Sequence, residues 1–195
     1  MAGPHAGIRS QGLLSWGRPL ILVTVGMHSQ PFDRLVRAAA GLVAIVDETV
    51  LIQRGVSRHA ITSSPSFDFT DEASMAAHLS EARVVVAHGG AGSILEALGA
   101  GKPLVLVPRL KRFGECLDDH QLELVQALAE QGRAVAVLDP SAEHLWAAIE
   151  DASQLNRPRP GTGGLQQGLC AWLAHRSQGP KARGTRSFLG FRWGG

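Results

Sequence analysis

ARVVVAHGGAGSILEALGAGKPLVLVPRLKRFGECLDDHQ, residues 82–121, is the stretch whose reading decides the fold. Residues 83–87 read as a buried strand, because Val84, Val85 and Val86 form the unbroken apolar run of a central parallel strand covered on both faces. Residues 88–92 make a tight glycine turn, 93–99 a helix and 103–107 a second buried strand. Gly101-Lys102-Pro103 is a sharp helix stop that feeds this strand.

Three glycines in four residues, Gly89, Gly90 and Gly92, remove the side chains that would keep a ligand off the backbone. A helix starts at once after them, with Ser93 in its first turn. Its free N–H groups and dipole make an anion site, and a nucleotide diphosphate is the usual occupant. Glu96 follows one turn later and has two readings. It is either a solvated carboxylate on an ordinary βα turn, or the acceptor for the two hydroxyls of a ribose lying beside the helix.

Working outward, residues 20–25, LILVTV, form a first buried strand that stops at Gly26, the carboxyl edge where open α/β sheets place ligands. Met27 to Gln30 form a loop, and a helix begins at Pro31 with Phe32, Leu35, Val36 and Ala39 at helical spacing. His28 lies on that edge, either as a loop histidine without a role or as a contact to phosphate or a sugar hydroxyl. Asp33 caps or decorates the helix. No G-x-G-x-x-G follows the first strand and no G-x-x-x-x-G-K-[ST] occurs, which counts against a dehydrogenase and against a P-loop ATPase.

Residues 49–53 and 67–69 read as further strands, followed by a helix with Asp71 and Glu72 in its first turn and Met75, Ala76 and Leu79 turned inward. His59 and His78 read as surface residues. After the central stretch, the loop 108–117 carries Arg109, Lys111 and Arg112. It is either a solvated basic loop or, because it leaves a strand at the same edge, a source of cations for the site. A guanidinium holds a phosphate or carboxylate through two parallel bonds, so Arg109 is a candidate for either. Asp118 or Asp119 is a sound N-cap for the next helix, whose apolar face is Leu122, Val125, Leu128 and Ala129. Gly132 closes that helix, 134–138 is a sixth strand, and 142–152 a last helix.

The whole chain has 195 residues and a formal charge of +2, enough for one domain with a real core, too short for two Rossmann halves, and no argument for nucleic acid. Cys116 and Cys170 have neither metal nor disulfide spacing, consistent with a reduced cytoplasmic setting. No apolar run approaches the roughly 20 residues of a membrane span. Residues 1–18 read as a disordered leader or a wrongly assigned start, 19–155 as the domain, 156–178 as a Pro/Gly-rich linker with a short helix at 165–175, and 179–195 as a basic disordered tail. The expected architecture is α/β, a doubly wound, Rossmann-like parallel sheet of about six strands.

HGGAGSILEALGAGKPLVLVP followed by DDHQLE, together with the opening ILVTVGMHSQPFDRLV, resembles the glycosyltransferase family 28 C-terminal domain, the donor-binding half of GT-B enzymes. The likeness covers roughly residues 20–151. It is similar to the small catalytic subunits of split enzymes: that of the eukaryotic dolichol-linked N-acetylglucosaminyltransferase, and those of bacterial exopolysaccharide glucuronosyltransferases. The resemblance implies a single C-terminal-type GT-B domain that binds a UDP-sugar. Gly26, His28, His88, Gly89, Gly90, Ala91, Gly92, Ser93, Glu96 and Arg109 would line the nucleotide, with His120 and Gln121 on the hydroxyls of the transferred sugar. Many relatives have Asn or Gln where this chain has His120.

By the same resemblance, the partners are a membrane-anchored acceptor-binding subunit and a lipid-linked saccharide acceptor. The protein would then sit in the cytoplasm, peripheral at the inner face of the membrane. The helix N-terminus would take the departing UDP's charge, with no cofactor and no metal, and the sequence has no DxD motif. No residue is forced into the role of catalytic base; His28 is only an outside candidate, and the base is expected from the acceptor half. Glucuronate and N-acetylglucosamine both remain open as the sugar, the basic loop tilting toward the acid. The contrasting reading is a non-catalytic nucleotide-sugar-binding regulatory module, which the same residues would serve.

Overall fold

A computed structural model describes residues 17–155. The expectations for all but the last two residues of the leader, for the linker and helix in 156–178, for the tail 179–195 and for Cys170 lie outside the described residues. Six strands form one parallel sheet: β1 Leu20–Thr24, β2 Thr49–Gln53, β3 Ser66–Phe67, β4 Ala82–His88, β5 Leu104–Val107 and β6 Val135–Ala136. Between them run α1 Asp33–Leu42, α2 Glu72–Glu81, α3 Ala91–Gly99, α4 His120–Glu130 and α5 Ala142–Gln154. The strand order is β3-β2-β1-β4-β5-β6. The chain winds one way from β1 and the other way from β4, so a crevice opens beyond the carboxyl ends of these two neighbours.

Alternation along the strands explains the layers. Ile21 and Val23 of β1, with Val84 and Val86 of β4 and Val105 and Val107 of β5, face α1 and α5. Leu20, Leu22, Val85, Ala87, Leu104 and Leu106 point the other way, onto α3 and α4. Each fully buried side chain of this kind contributes roughly 1.5–3 kcal/mol. The sheet is therefore held from both faces, and its edge is free to carry chemistry.

Element ends follow local chemistry. α3 stops where Gly101 adopts φ 66°, its N–H bonded to Leu98 O at 3.0 Å and that of Lys102 to Ala97 O at 3.0 Å, the paired bonds of a Schellman stop. Gly132, at φ 64°, closes α4 in the same way. Asp71 caps α2 through Ser74 N, and Ser141 caps α5 through His144 N.

Several boundaries differ from the sequence reading. α1 starts at Asp33 rather than Pro31, because the Phe32 N–H is taken by Ser57 Oγ at 2.9 Å and its backbone is not yet helical. Asp33 accepts the N–H groups of Arg58 and His59, so it ties a loop to the helix rather than capping it. Ala76 is exposed, while Met75 and Leu79 do pack inward. On α4, Leu124 is buried where Leu122 was expected. Asp119 occupies the N-cap position without capping, since its carboxylate accepts from Lys111 N at 2.9 Å. His78 is half-buried, its ring 5.5 Å from that of Phe67.

Candidate functional site

Everything that converges on the crevice comes from strand ends. β1 delivers the loop from Gly26 to Gln30, β4 the turn from His88 into α3, and β5 the loop that leads to α4. The first of these is fixed by buried polar groups. Gln53, at the end of β2, donates from its amide nitrogen to Gly26 O at 3.2 Å and accepts the Gly26 N–H at 3.2 Å. Thr24 Oγ1 accepts that same N–H and donates to Gln53 Oε1. Gly26 itself has φ 73°, a conformation that side-chain-bearing residues rarely adopt. Sequence reasoning missed Thr24 and Gln53. The available signal was a polar residue ending an otherwise apolar strand at the ligand edge.

His88 is the centre of the arrangement. Its imidazole is 8% exposed and lies between Gly26 and Gly90, where a Cβ on either glycine would overlap the ring. These two glycines therefore make room for a histidine. Gly89 serves packing instead: a Cβ there would lie 2.8 Å from Val125 Cγ2 and 2.9 Å from Gln121 Cβ, so its absence lets α4 approach the turn. Gly92 alone of the turn's glycines faces open space, where an added Cβ would meet nothing within 4 Å. The sequence reading gave all three turn glycines to a ligand; of the three, Gly92 is the one with open space where a side chain would stand.

Burial, and after it the positive charge of Arg109 and the neighbouring His28, drives the His88 pKa down to about 4. The ring is neutral at physiological pH. Its Nδ1 is buried without a hydrogen-bond partner, an arrangement that costs about 1–3 kcal/mol when nothing fills it. Beside it, Gly90 is the N-cap residue of α3 and gives it no side-chain cap. Ile94 N–H makes the first intrahelical bond, to Gly90 O at 3.1 Å, so the N–H groups of Ala91, Gly92 and Ser93 have no acceptor within the helix.

His28 is half-buried, and its Nδ1 accepts the Gln30 N–H at 3.2 Å. With Nδ1 so engaged, the neutral ring presents Nε2–H as a hydrogen-bond donor. This geometry counts against His28 as a catalytic base. Glu96 is exposed on α3, one turn beyond Gly92. Gln121 is half-buried, its Oε1 accepting the Arg109 N–H at 3.1 Å. His120 is exposed, with its Nε2 3.7 Å from Asp118.

Arg109 departs from its expected role. It is fully buried, and its guanidinium donates to Val25 O at 2.9 Å, Gln30 O at 2.9 Å, Pro31 O at 3.3 Å and Glu115 O at 3.2 Å. It also stacks 4.7 Å above Phe32. The reading of Arg109 as a clamp on the donor's phosphate or on a sugar carboxylate is corrected on this point, because its Nη groups are turned to backbone carbonyls. Lys111 and Arg112, in a 3-10 turn at Lys111–Phe113, are exposed.

The fold is a Rossmann-like domain of the GT-B type. The chain belongs to the glycosyltransferase family 28 C-terminal domain family, whose model matches residues 20–159. It is 33% identical over 127 residues to the UDP-N-acetylglucosamine transferase subunit ALG13 of Yarrowia lipolytica, covering 56% of this chain and 60% of that protein. It is 32% identical over 151 residues to the UDP-N-acetylglucosamine--N-acetylmuramyl-(pentapeptide) pyrophosphoryl-undecaprenol N-acetylglucosamine transferase of Stutzerimonas stutzeri, covering 73% of this chain and 40% of that one. The chain thus spans between two fifths and three fifths of the length of these relatives. Among solved structures, the glycotransferase of kitacinnamycin matches with TM-score 0.57 at 21% identity, over 89% of this chain and 44% of that chain. An NMR structure of ALG13 matches with TM-score 0.53 at 18% identity, over 78% of this chain and 94% of that one. These structural likenesses concern the fold.

Proposed function

We propose that this chain is the donor-binding part of a glycosyltransferase that transfers N-acetylglucosamine from UDP-N-acetylglucosamine to a lipid-linked saccharide. The observation that carries the reading is the uncapped N-terminus of α3 at the switch point, with Gly92 open to solvent beside it. A diphosphate placed there accepts from the amides of Ala91, Gly92 and Ser93, and stabilises as a leaving group through dipoles already oriented, with no metal in the step. Glu96 takes the ribose hydroxyls, and Gln121 and His120 the sugar. His28, as a donor, faces the phosphate or the sugar.

N-acetylglucosamine is preferred to glucuronate on two grounds. The relatives named above are N-acetylglucosamine transferases by name. The basic loop that tilted toward a uronic acid has its Arg109 turned inward. The acceptor and the general base come from a membrane-anchored partner that brings the protein to the cytoplasmic face of the membrane. In support, exposed large apolar side chains gather on the site's edge: Met27 after β1, and Phe113 and Leu117 after β5. Such side chains are suited to contact with another protein surface. Among the described residues, no helix is long and apolar enough to cross a membrane.

The test is co-expression with a candidate membrane partner, followed by transfer assays with a panel of UDP-sugars and by UDP calorimetry. Glu96→Ala is expected to weaken UDP binding about tenfold, the worth of a charge-assisted hydrogen bond. Gln121→Ala is expected chiefly to lower transfer. Unchanged UDP affinity in the first variant removes the ribose assignment. UDP binding without transfer by any partner complex would favour a regulatory binding module.

A further inference from the structure

We infer that Arg109 is a positioning residue that sets the distance between the two walls of the donor-sugar pocket without touching the donor. The inference rests on the function proposed above. One wall is the β1–α1 loop, which carries His28; the other is the start of α4, which carries Gln121. Arg109 is joined to both. Its side chain donates to Gln30 O and Pro31 O, just beyond His28, and to Val25 O, just before Gly26. Its backbone N–H donates to Gln121 Oε1 at 3.1 Å, which aims that carboxamide.

The surroundings explain why this position needs a guanidinium. Nη1 and Nη2 reach carbonyls of two separate loops, Nε is buried without a partner, and the Phe32 ring lies 4.7 Å from the guanidinium carbon. A lysine has one ammonium and cannot span Val25 O and Glu115 O together. The acid nearby is engaged elsewhere. Glu115 receives Arg34 through both oxygens, at 3.0 and 2.9 Å, and its Oε2 also accepts the Leu110 N–H at 3.0 Å. Arg34 in turn donates to Pro108 O at 2.9 Å and Leu138 O at 2.7 Å. A second arginine thus fixes the loop of the first, and the unit behaves as one strut between β1, β5 and β6. Burial lowers Arg109 to about 10, so it keeps its charge at neutral pH.

The experiment compares Arg109→Lys and Arg109→Gln with the unaltered chain for binding of UMP and of UDP-N-acetylglucosamine, at a temperature where each is folded. Positioning predicts that both variants lose about tenfold in affinity for the UDP-sugar, one misplaced hydrogen bond, while UMP binding changes less than about twofold. If Lys retains the UDP-sugar affinity that Gln loses, the charge itself touches the donor and the inference is overturned. Wild-type affinities in both folded variants would overturn it too, leaving a structural role alone. Should neither variant fold, NMR of the unaltered chain decides. The Arg109 guanidinium signals are expected to stay unmoved and protected from exchange during a UDP-N-acetylglucosamine titration while the Gln121 side-chain amide and His28 ring shift. Movement of the Arg109 signals with the donor would refute the inference. If the unaltered chain binds no UDP-N-acetylglucosamine at all, the proposed function fails first.

Discussion

Each end of the sheet is anchored by an arginine, and the two are surrounded in opposite ways. At the amino end, Arg83 of β4 holds Glu48 through two bonds of 2.5 Å, meets Ser153 Oγ at 3.0 Å and Glu150 at 3.3 Å, and lies 5.8 Å from the Trp146 ring. Half-exposed and surrounded by acids, it is electrically complete, and those pairs raise its pKa. At the carboxyl end, Arg109 is fully buried, bonded to no carboxylate, and adjacent to a histidine that burial keeps neutral. The first end closes itself with ion pairs. The second brings together a buried guanidinium, a buried neutral ring and the uncapped amides of α3, with Gly92 open to solvent beside them.

This contrast is breakable by substitution, and the largest effect is expected at the carboxyl end. Arg109→Met leaves four carbonyls short of a donor, two of them buried, and urea unfolding is expected to show a loss of about 4 kcal/mol. A loss below about 1 kcal/mol would mean that those carbonyls find water in its place.

Next comes acid sensitivity. With a folded pKa of about 4 against about 6.5 unfolded, the unfolded state binds the extra proton between these values. The His88 contribution is therefore fully present above pH 6.5 and is lost as pH falls toward 4. The total is roughly 3 kcal/mol, and His88→Gln should lack that slope. A wild-type stability that is flat from pH 7 to pH 5 would contradict a buried neutral ring.

Arg83→Met should cost about 2 kcal/mol, because Glu48 is left half-buried without its partner, and UDP affinity should not change. A fall in UDP affinity would break the division between a stabilising end and a binding end. The smallest stability effect is expected at Gly92, where calorimetry and thermal melts should move in opposite directions. Gly92→Ala has open space and a helical position, so it should stabilise by up to about 1 kcal/mol while weakening UDP binding.

The same contrast marks how far the sequence could be read. β4, the glycine turn, α3 and β5 were legible because an apolar run, a turn composition and a helix stop each act locally, within a few residues. The six strands and their parallel winding followed from that pattern. What a local pattern does not carry is the direction of a long side chain. Arg109 looked like a ligand because it leaves a strand at the binding edge, yet its partners are carbonyls about 80 residues earlier in the chain. Gly26 and Gly90 likewise looked like concessions to a ligand, and a histidine occupies the space between them. Thr24 and Gln53 were overlooked because their hydrogen bonds depend on β1 and β2 being neighbours in register, Thr24 against Gln53.

The central claim is that the crevice between β1 and β4 holds the diphosphate of a uridine nucleotide. A titration of the isotopically labelled chain with UDP, followed through backbone amide resonances, tests it most directly. The account predicts saturable shifts concentrated at Ala91, Gly92 and Ser93 and at His88, with Arg83, Glu48 and their surroundings unmoved. Saturable shifts centred on any other edge of the sheet, with the α3 amides silent, would contradict it.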